Sequence, residues 1–181
     1  ELFDACKHVS NIHKIFLLIN QPGVNVNCVN EYGGTPLHIA CELGHFDIAR
    51  LLLEKGAEID RADKRGYTPL WVACLKNHIK VVQLLLEKGA DANRANEDGW
   101  TPLCIACQKN HIKVVQLLLE YGAETTLTDH GCWQPLYIAC QKNHVAVATL
   151  LLEYGADVNL AIDSGNTPLY IACELGHFDI A

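Results

Sequence analysis

Five histidines, His45, His78, His111, His144 and His177, recur every 33 residues along this 181-residue chain. They are the side chains best suited to metal binding or proton transfer near neutral pH. The same interval separates the carboxylates Glu54, Glu87, Glu120 and Glu153, and the cysteines Cys41, Cys74, Cys107, Cys140 and Cys173. One closer pair, Cys104 and Cys107, has the CxxC spacing of zinc ligands or of a redox dithiol. Chemistry of these kinds needs convergence. Equivalent residues of a regular stack lie about 8–10 Å apart, whereas a zinc-bound histidine nitrogen sits about 2.1 Å from the metal. The histidine row is therefore expected to serve the repeat itself, hydrogen-bonding near a helix–helix turn. The CxxC lacks a second ligand pair for zinc and the βαβ context of a redox motif. Cys107 is also explained as the repeat's small core residue. No Ser-His-Asp or Cys-His arrangement stands apart from the repeat, and the glycines are single stops, not a phosphate-cradling cluster. The expectation is a protein that is not an enzyme, with no cofactor and no bound metal.

The interval itself governs the elements that carry these residues. ACELGHFDIA fills Ala40–Ala49 and returns at Ala172–Ala181, four intervals later; HIKVVQLLLE fills His78–Glu87 and returns at His111–Glu120. TPL begins at Thr35, Thr68, Thr101 and Thr167, with Gln134-Pro-Leu completing the series. A fixed period of this size denotes an array of small units, each packed only on its neighbours.

One unit can be read from Thr68 onward. Thr68 is a good N-cap and Pro69 suits the first helical position, where no amide hydrogen is needed. A short helix follows through Ala73 and Cys74. It is closed at Asn77, whose counterparts are Gly44, Asn110, Asn143 and Gly176, the residue types that tolerate a left-handed helix stop. A second helix runs through Val81, Val82 and Leu84–Leu86 to Gly89. The Asp-, Asn- and Gly-rich stretch that remains is turn chemistry. A first helix of about two turns does not persist alone in water, and the second is apolar on too many sides for single-faced cover. Both difficulties vanish when units stack.

The chain carries 14 Lys and Arg against 21 Asp and Glu, a net charge of −7. That balance argues against a nucleic-acid partner, which needs a basic face. The longest apolar stretch, Leu70–Leu75, is far below the ~18 residues of a membrane span. Nine cysteines whose period-33 members are too far apart to pair fit a reducing, intracellular setting, cytoplasm or nucleus. There is no methionine, so Glu1 is not a translation start and a longer parent chain is expected.

The sequence Thr35–Ala40, TPLHIA, resembles the ankyrin repeat, and so do GH before the second helix, LLLE within it and GADVN at Gly155–Asn159. The resemblance covers essentially the whole chain. It implies an all-α solenoid of stacked helix–turn–helix units, with loops projecting as hairpin-like fingers that form a concave face together with the first helices. On this reading residues 1–181 are a single array. Residues 1–29 are a degenerate N-terminal repeat, 30–62, 63–95, 96–128 and 129–161 are full repeats, and 162–181 is a truncated last one. The last copy breaks off at the start of its second helix, so a continuation of the chain or a neighbouring molecule is expected to cover the Leu151–Leu152 side.

Shared residues build the scaffold, so partner choice falls to positions that differ between units. Tyr67, Trp100 and Trp133 occupy one equivalent position just before the cap. Trp71, Tyr137 and Tyr170 stand where the family motif has His, as His38 does. Lys76, Lys109 and Lys142 form a row at the end of the first helix, bracketed by Leu43 and Leu175, and Arg65 lies at a finger tip. Large aromatics are over-represented at interface hot spots. The expected partner is another protein, or an extended linear peptide of around 12–15 residues that spans the groove, bound by a monomer. It would bring acidic or carbonyl-rich residues and one or two apolar anchors. Two rival readings are a methyl-lysine reader built on Trp100 and Trp133 with Glu97 and Asp98, and a regulatory or targeting arm of a larger enzyme, channel or ligase. Asn93 and Asn159 resemble sites of asparagine hydroxylation in this family. The sharpest departure from the repeat is Leu127–Leu136, where Cys132 replaces the finger Gly and Gln134 the capping Thr, which predicts a locally weaker junction.

Overall fold

A computed structural model describes residues 2–8, 12–128 and 133–180. Every element among them is a helix or a turn. The chain divides into two compact halves, Glu1–Asp91 and Ala92–Ala181.

The first half contains α1 (Leu2–Ala5), α2 (Ile12–Ile19), α3 (Pro36–Leu43), α4 (Phe46–Glu54), α5 (Pro69–Leu75) and α6 (Ile79–Glu87). Within each pair the two helices pack on each other. First helices also pack on first helices, α1 on α3 and α3 on α5, and second on second, α2 on α4 and α4 on α6. The second half repeats the scheme with α7 (Pro102–Gln108), α8 (Ile112–Glu120), α9 (Pro135–Gln141), α10 (Val145–Glu153) and α11 (Pro168–Glu174). The core runs along the seams as Leu37, Leu52, Leu70 and Leu85 in the first half, and as Leu103, Leu118, Leu136 and Leu151 in the second, all essentially inaccessible to water.

The helix starts follow the expected chemistry. Thr35, Thr68, Thr101 and Thr167 have extended backbones, and each side-chain oxygen accepts the amide of the third helical residue, with Pro at the first position. Gln134 makes no such bond. Its buried carboxamide donates instead to the Leu160 carbonyl near the end of the same repeat, while its Oε1 has no partner among the described residues. Asn77, Asn110 and Asn143 adopt φ of 57–60°, the left-handed stop expected of them. The residues after His177 depart from expectation: they form a turn, not the start of a helix. Phe178 is 86% exposed there, so the segment lacks the buried apolar face that holds short helices elsewhere in the array.

The fingers are organised by side chains that the period alone did not single out. Asn30, Asp63 and Asn96 each use Oδ1 to accept two amides, at the second and fourth following residues. The same residues exchange backbone bonds across the tight turn, such as Asp63 N–H to the Tyr67 carbonyl at 3.0 Å and Gly66 N–H to the Asp63 carbonyl at 3.1 Å. In the first half adjacent fingers pair directly, Lys64 N–H donating to the Tyr32 carbonyl at 3.0 Å. A Cβ on Gly33 would lie 2.9 Å from that Lys64 nitrogen, so this approach requires glycine.

Candidate partner-binding face

The pre-cap and third-helical positions are in contact in two repeats. Tyr67 stacks on Trp71 with ring centroids 4.1 Å apart and planes 21° from parallel. Trp133 leans on Tyr137 at 5.6 Å and 53°. In each case the finger residue is half-buried and the helical one lies beneath it, Trp71 at 6% and Tyr137 at 3% exposure. Trp100 is also half-buried, above a third-helical Cys104 that offers no ring to stack on. Tyr170 differs from its counterparts and stands 50% exposed. Thus Tyr67, Trp100, Trp133 and Tyr170 present ring surface, whereas Trp71 and Tyr137 act as a floor.

Two third-helical side chains, His38 and Tyr137, also reach the next finger. His38 donates from Nε2 to the Tyr67 carbonyl at 2.9 Å and accepts the Thr35 amide on Nδ1 at 3.1 Å, so its neutral Nε2–H tautomer closes a capping box and ties two repeats together. Burial holds its pKa below the ordinary value, opposed by that carbonyl bond and by Asp63, with Arg61 adding to the depression. The Tyr137 hydroxyl is hydrogen-bonded by Asn166, the pre-cap residue of its following finger. Its pKa is nevertheless raised, chiefly by burial and secondarily by Glu174.

The lysine row is not uniform. Lys76 forms an ion pair with Glu42 of the preceding repeat, at 3.4 Å. The positions matching Glu42 for Lys109 and Lys142 are Leu75 and Gln108. Both lysines are exposed and make no ion pair among the described residues. Arg65 is exposed at its finger tip, its guanidinium over the Tyr67 ring with Cζ 5.0 Å from the centroid. The finger residues His130 and Gly131, and Cys132, lie outside the described residues.

The residues with latent chemistry serve the scaffold. His45 and His78 donate from Nε2 to the carbonyls of Lys7 and Glu42, and His144 and His177 from Nδ1 to those of Cys107 and Cys140. Each thereby stitches a helix–helix turn to the first helix of the preceding repeat or, for His45, to the turn that follows α1. Cys104 and Cys107 are fully buried, and burial pushes the Cys107 thiol well above its ordinary pKa, away from the reactive thiolate. The Cys6 thiol is likewise pushed up to about 12 and Cys140 to about 11. All eight described cysteines are free. Among the described residues no cluster of three or more metal-ligating side chains forms, and no helix is long and apolar enough to cross a membrane. Asn93 donates to the Gly122 carbonyl and accepts the Glu124 amide, as Asn27 does with Gly56 and Glu58, so both join successive repeats.

Tandem helix pairs with a capped start, a left-handed stop and a projecting finger are the anatomy of a repeat that serves in general as a non-catalytic protein-interaction module. A search of curated proteins returns no match. A family model described as ankyrin repeats (3 copies) matches residues 2–96, 63–129, 89–162 and 127–181 in overlapping segments. With those matches running nearly from end to end over helix pairs of this design, the chain belongs to the ankyrin-repeat family.

Proposed function

We propose that this chain is a non-catalytic interaction module that takes a partner protein, or an extended segment of one, on the face made by its fingers and first helices. The observation that carries this reading is the placing of large rings just before the helix caps. Tyr67 and Trp133 are half-exposed yet held from below by Trp71 and Tyr137. Rings fixed in this way bury a large area at little entropic cost, which is the property of hot-spot residues. Lys109 and Lys142 add exposed ammonium groups that form no ion pair among the described residues. They suit a segment bearing acidic side chains or free carbonyls. Eight free cysteines, most of them buried, suit a reducing intracellular compartment, cytoplasm or nucleus. The module acts as a monomer. The methyl-lysine cage has no specific observation in its favour, since one side of the Trp133 ring already meets Tyr137.

Selection of a displayed random-peptide library on the wild-type chain tests the proposal. Peptides so selected are expected to lose at least ~30-fold in affinity for Trp100→Ala/Trp133→Ala, the scale of a hot-spot loss, while the helical circular dichroism persists. Failure to select any peptide removes the reading of this face as a peptide site. Unchanged affinity removes the aromatic residues from it.

A further inference from the structure

Among the described residues of the finger face, Arg65 is the one that is both cationic and mounted on a stack of rings. Its Cζ lies 5.0 Å above the Tyr67 ring, Tyr67 lies 4.1 Å above Trp71, and Trp71 is buried at the third position of α5. The backbone beneath is fixed as well. Asp63 Oδ1 accepts the Arg65 and Tyr67 amides, both at 2.9 Å, and the Tyr67 carbonyl accepts from His38. That arrangement engages the Asp63 carboxylate in the turn, and the guanidinium makes no ion pair among the described residues. Arg50 and Arg61, by contrast, are paired with Asp47 and Glu54 and with Glu58. A guanidinium held over a ring by its charge still has N–H groups to offer, and their fork is the geometry that grips an oxyanion through two parallel hydrogen bonds.

Charge along the fingers makes the site selective. Lys64, also exposed, adjoins Arg65, whereas the corresponding described tips carry Glu31, Glu97, Asp98 and Asp163. An anionic group is drawn to this finger and repelled by the others. We infer that the Arg65–Tyr67–Trp71 stack is a built oxyanion anchor that receives a carboxylate or phosphorylated side chain of the bound partner segment and so sets its register on the array. The inference rests on the reading of the finger face as the partner-binding face.

The same displayed library, followed by affinity measurements on the full chain, provides the test. Peptides selected on the wild type are expected to share an acidic residue at one fixed position, and Arg65→Gln is expected to weaken them by at least ~10-fold. Arg65→Lys keeps the charge but loses the fork and most of the ring contact, so it should weaken binding nearly as much. Replacing the acidic residue by phosphoserine in one arm and by its uncharged amide in another separates the two sources: a gain with phosphoserine assigns a phosphorylated partner, no gain a carboxylate, and either must exceed the amide. If the selected peptides lack a shared acid, or bind Arg65→Gln equally well, the anchor is wrong while the finger face stands. If the wild type selects no peptide, both readings fall.

Discussion

His38 shows how much one side chain can settle. Its neutral ring accepts the Thr35 amide on Nδ1 and donates to the Tyr67 carbonyl from Nε2, in a site only 6% exposed. Protonation would put a hydrogen on Nδ1, break the capping box and charge a buried ring. Because the folded-state pKa lies below the unfolded value of 6.5, the stabilisation is in place above pH 6.5 and is lost as the pH falls through the depressed value. His38→Gln keeps a capping-box partner at the third helical position but cannot titrate. The melting temperature of the wild type should therefore drop more steeply than that of His38→Gln between pH 7 and pH 5. Parallel curves would show that His38 does not carry the acid sensitivity. At Trp71, Tyr137 and Tyr170, where His38 has its counterparts, that dependence is absent by construction of the side chain.

The helix–helix turn is the element where local chemistry and neighbour contact meet. A left-handed stop at residue 44 was legible from glycine alone, and Gly44 adopts φ 72°. What sequence could not supply is the ring lying against it. A Cβ at Gly44 would lie 2.6 Å from His78 Nδ1, and that ring is held there by its bond to the Glu42 carbonyl at 2.9 Å. Where Asn110 and Asn143 replace the glycine, His144 and His177 use Nδ1 and a different carbonyl, one residue nearer the helix start. Gly56 offers an internal control: its φ is 85°, but nothing lies within 4 Å of an added Cβ. Gly56→Ala should thus cost about 1–2 kcal/mol, the left-handed penalty alone. Gly44→Ala should exceed it by at least ~1 kcal/mol through the lost His78 bond and displaced ring, as read from urea unfolding. Equal costs would mean that the ring moves aside freely. The same divide runs through the rest of the chain. Caps at Thr35, Thr68, Thr101 and Thr167 and stops at Asn77, Asn110 and Asn143 follow from residues within one turn, so the sequence specifies them. The Asx turns at Asn30, Asp63 and Asn96 recur every 33 residues and carried the same kind of signal, yet composition alone did not distinguish them from loop filler. The Lys76–Glu42 pair, the Tyr67–Trp71 stack and the reach of Gln134 to Leu160 join residues 4 to 34 positions apart through tertiary geometry. For the candidate face, residue types were therefore readable, but which rings form the floor and which ammonium groups stay open were not.

At the scale of the molecule, equivalent residues test what stacking contributes. Leu103 and Leu169 hold the same place in their repeats, two intervals apart, yet Leu103 is 0% exposed and Leu169 is 52% exposed. The helix α7 that carries Leu103 packs on α8 and α9, whereas α11 packs on α9 and has no second-helix partner among the described residues. Around Leu169 an apolar cleft of about 300 Å3 opens between Leu136, Leu152, Val158 and Ile180. Leu152, at 45%, contrasts with Leu119 at 5% in the same way. In a quasi-one-dimensional array, stability comes from each unit and from its interfaces with neighbours, so identical chemistry should carry different weight at these two sites. Leu103→Ala removes a side chain from a close-packed seam and leaves a void, which should cost about 2–5 kcal/mol. Leu169→Ala removes one already half in water and should cost less than ~1.5 kcal/mol. Urea midpoints of the two variants, measured at several protein concentrations, distinguish this from the alternative that copies of the chain cover the cleft in solution. A gap between the variants that is independent of concentration assigns the difference to stacking within the chain. A Leu169→Ala cost that approaches that of Leu103→Ala as concentration rises would mean that a second copy supplies the missing cover.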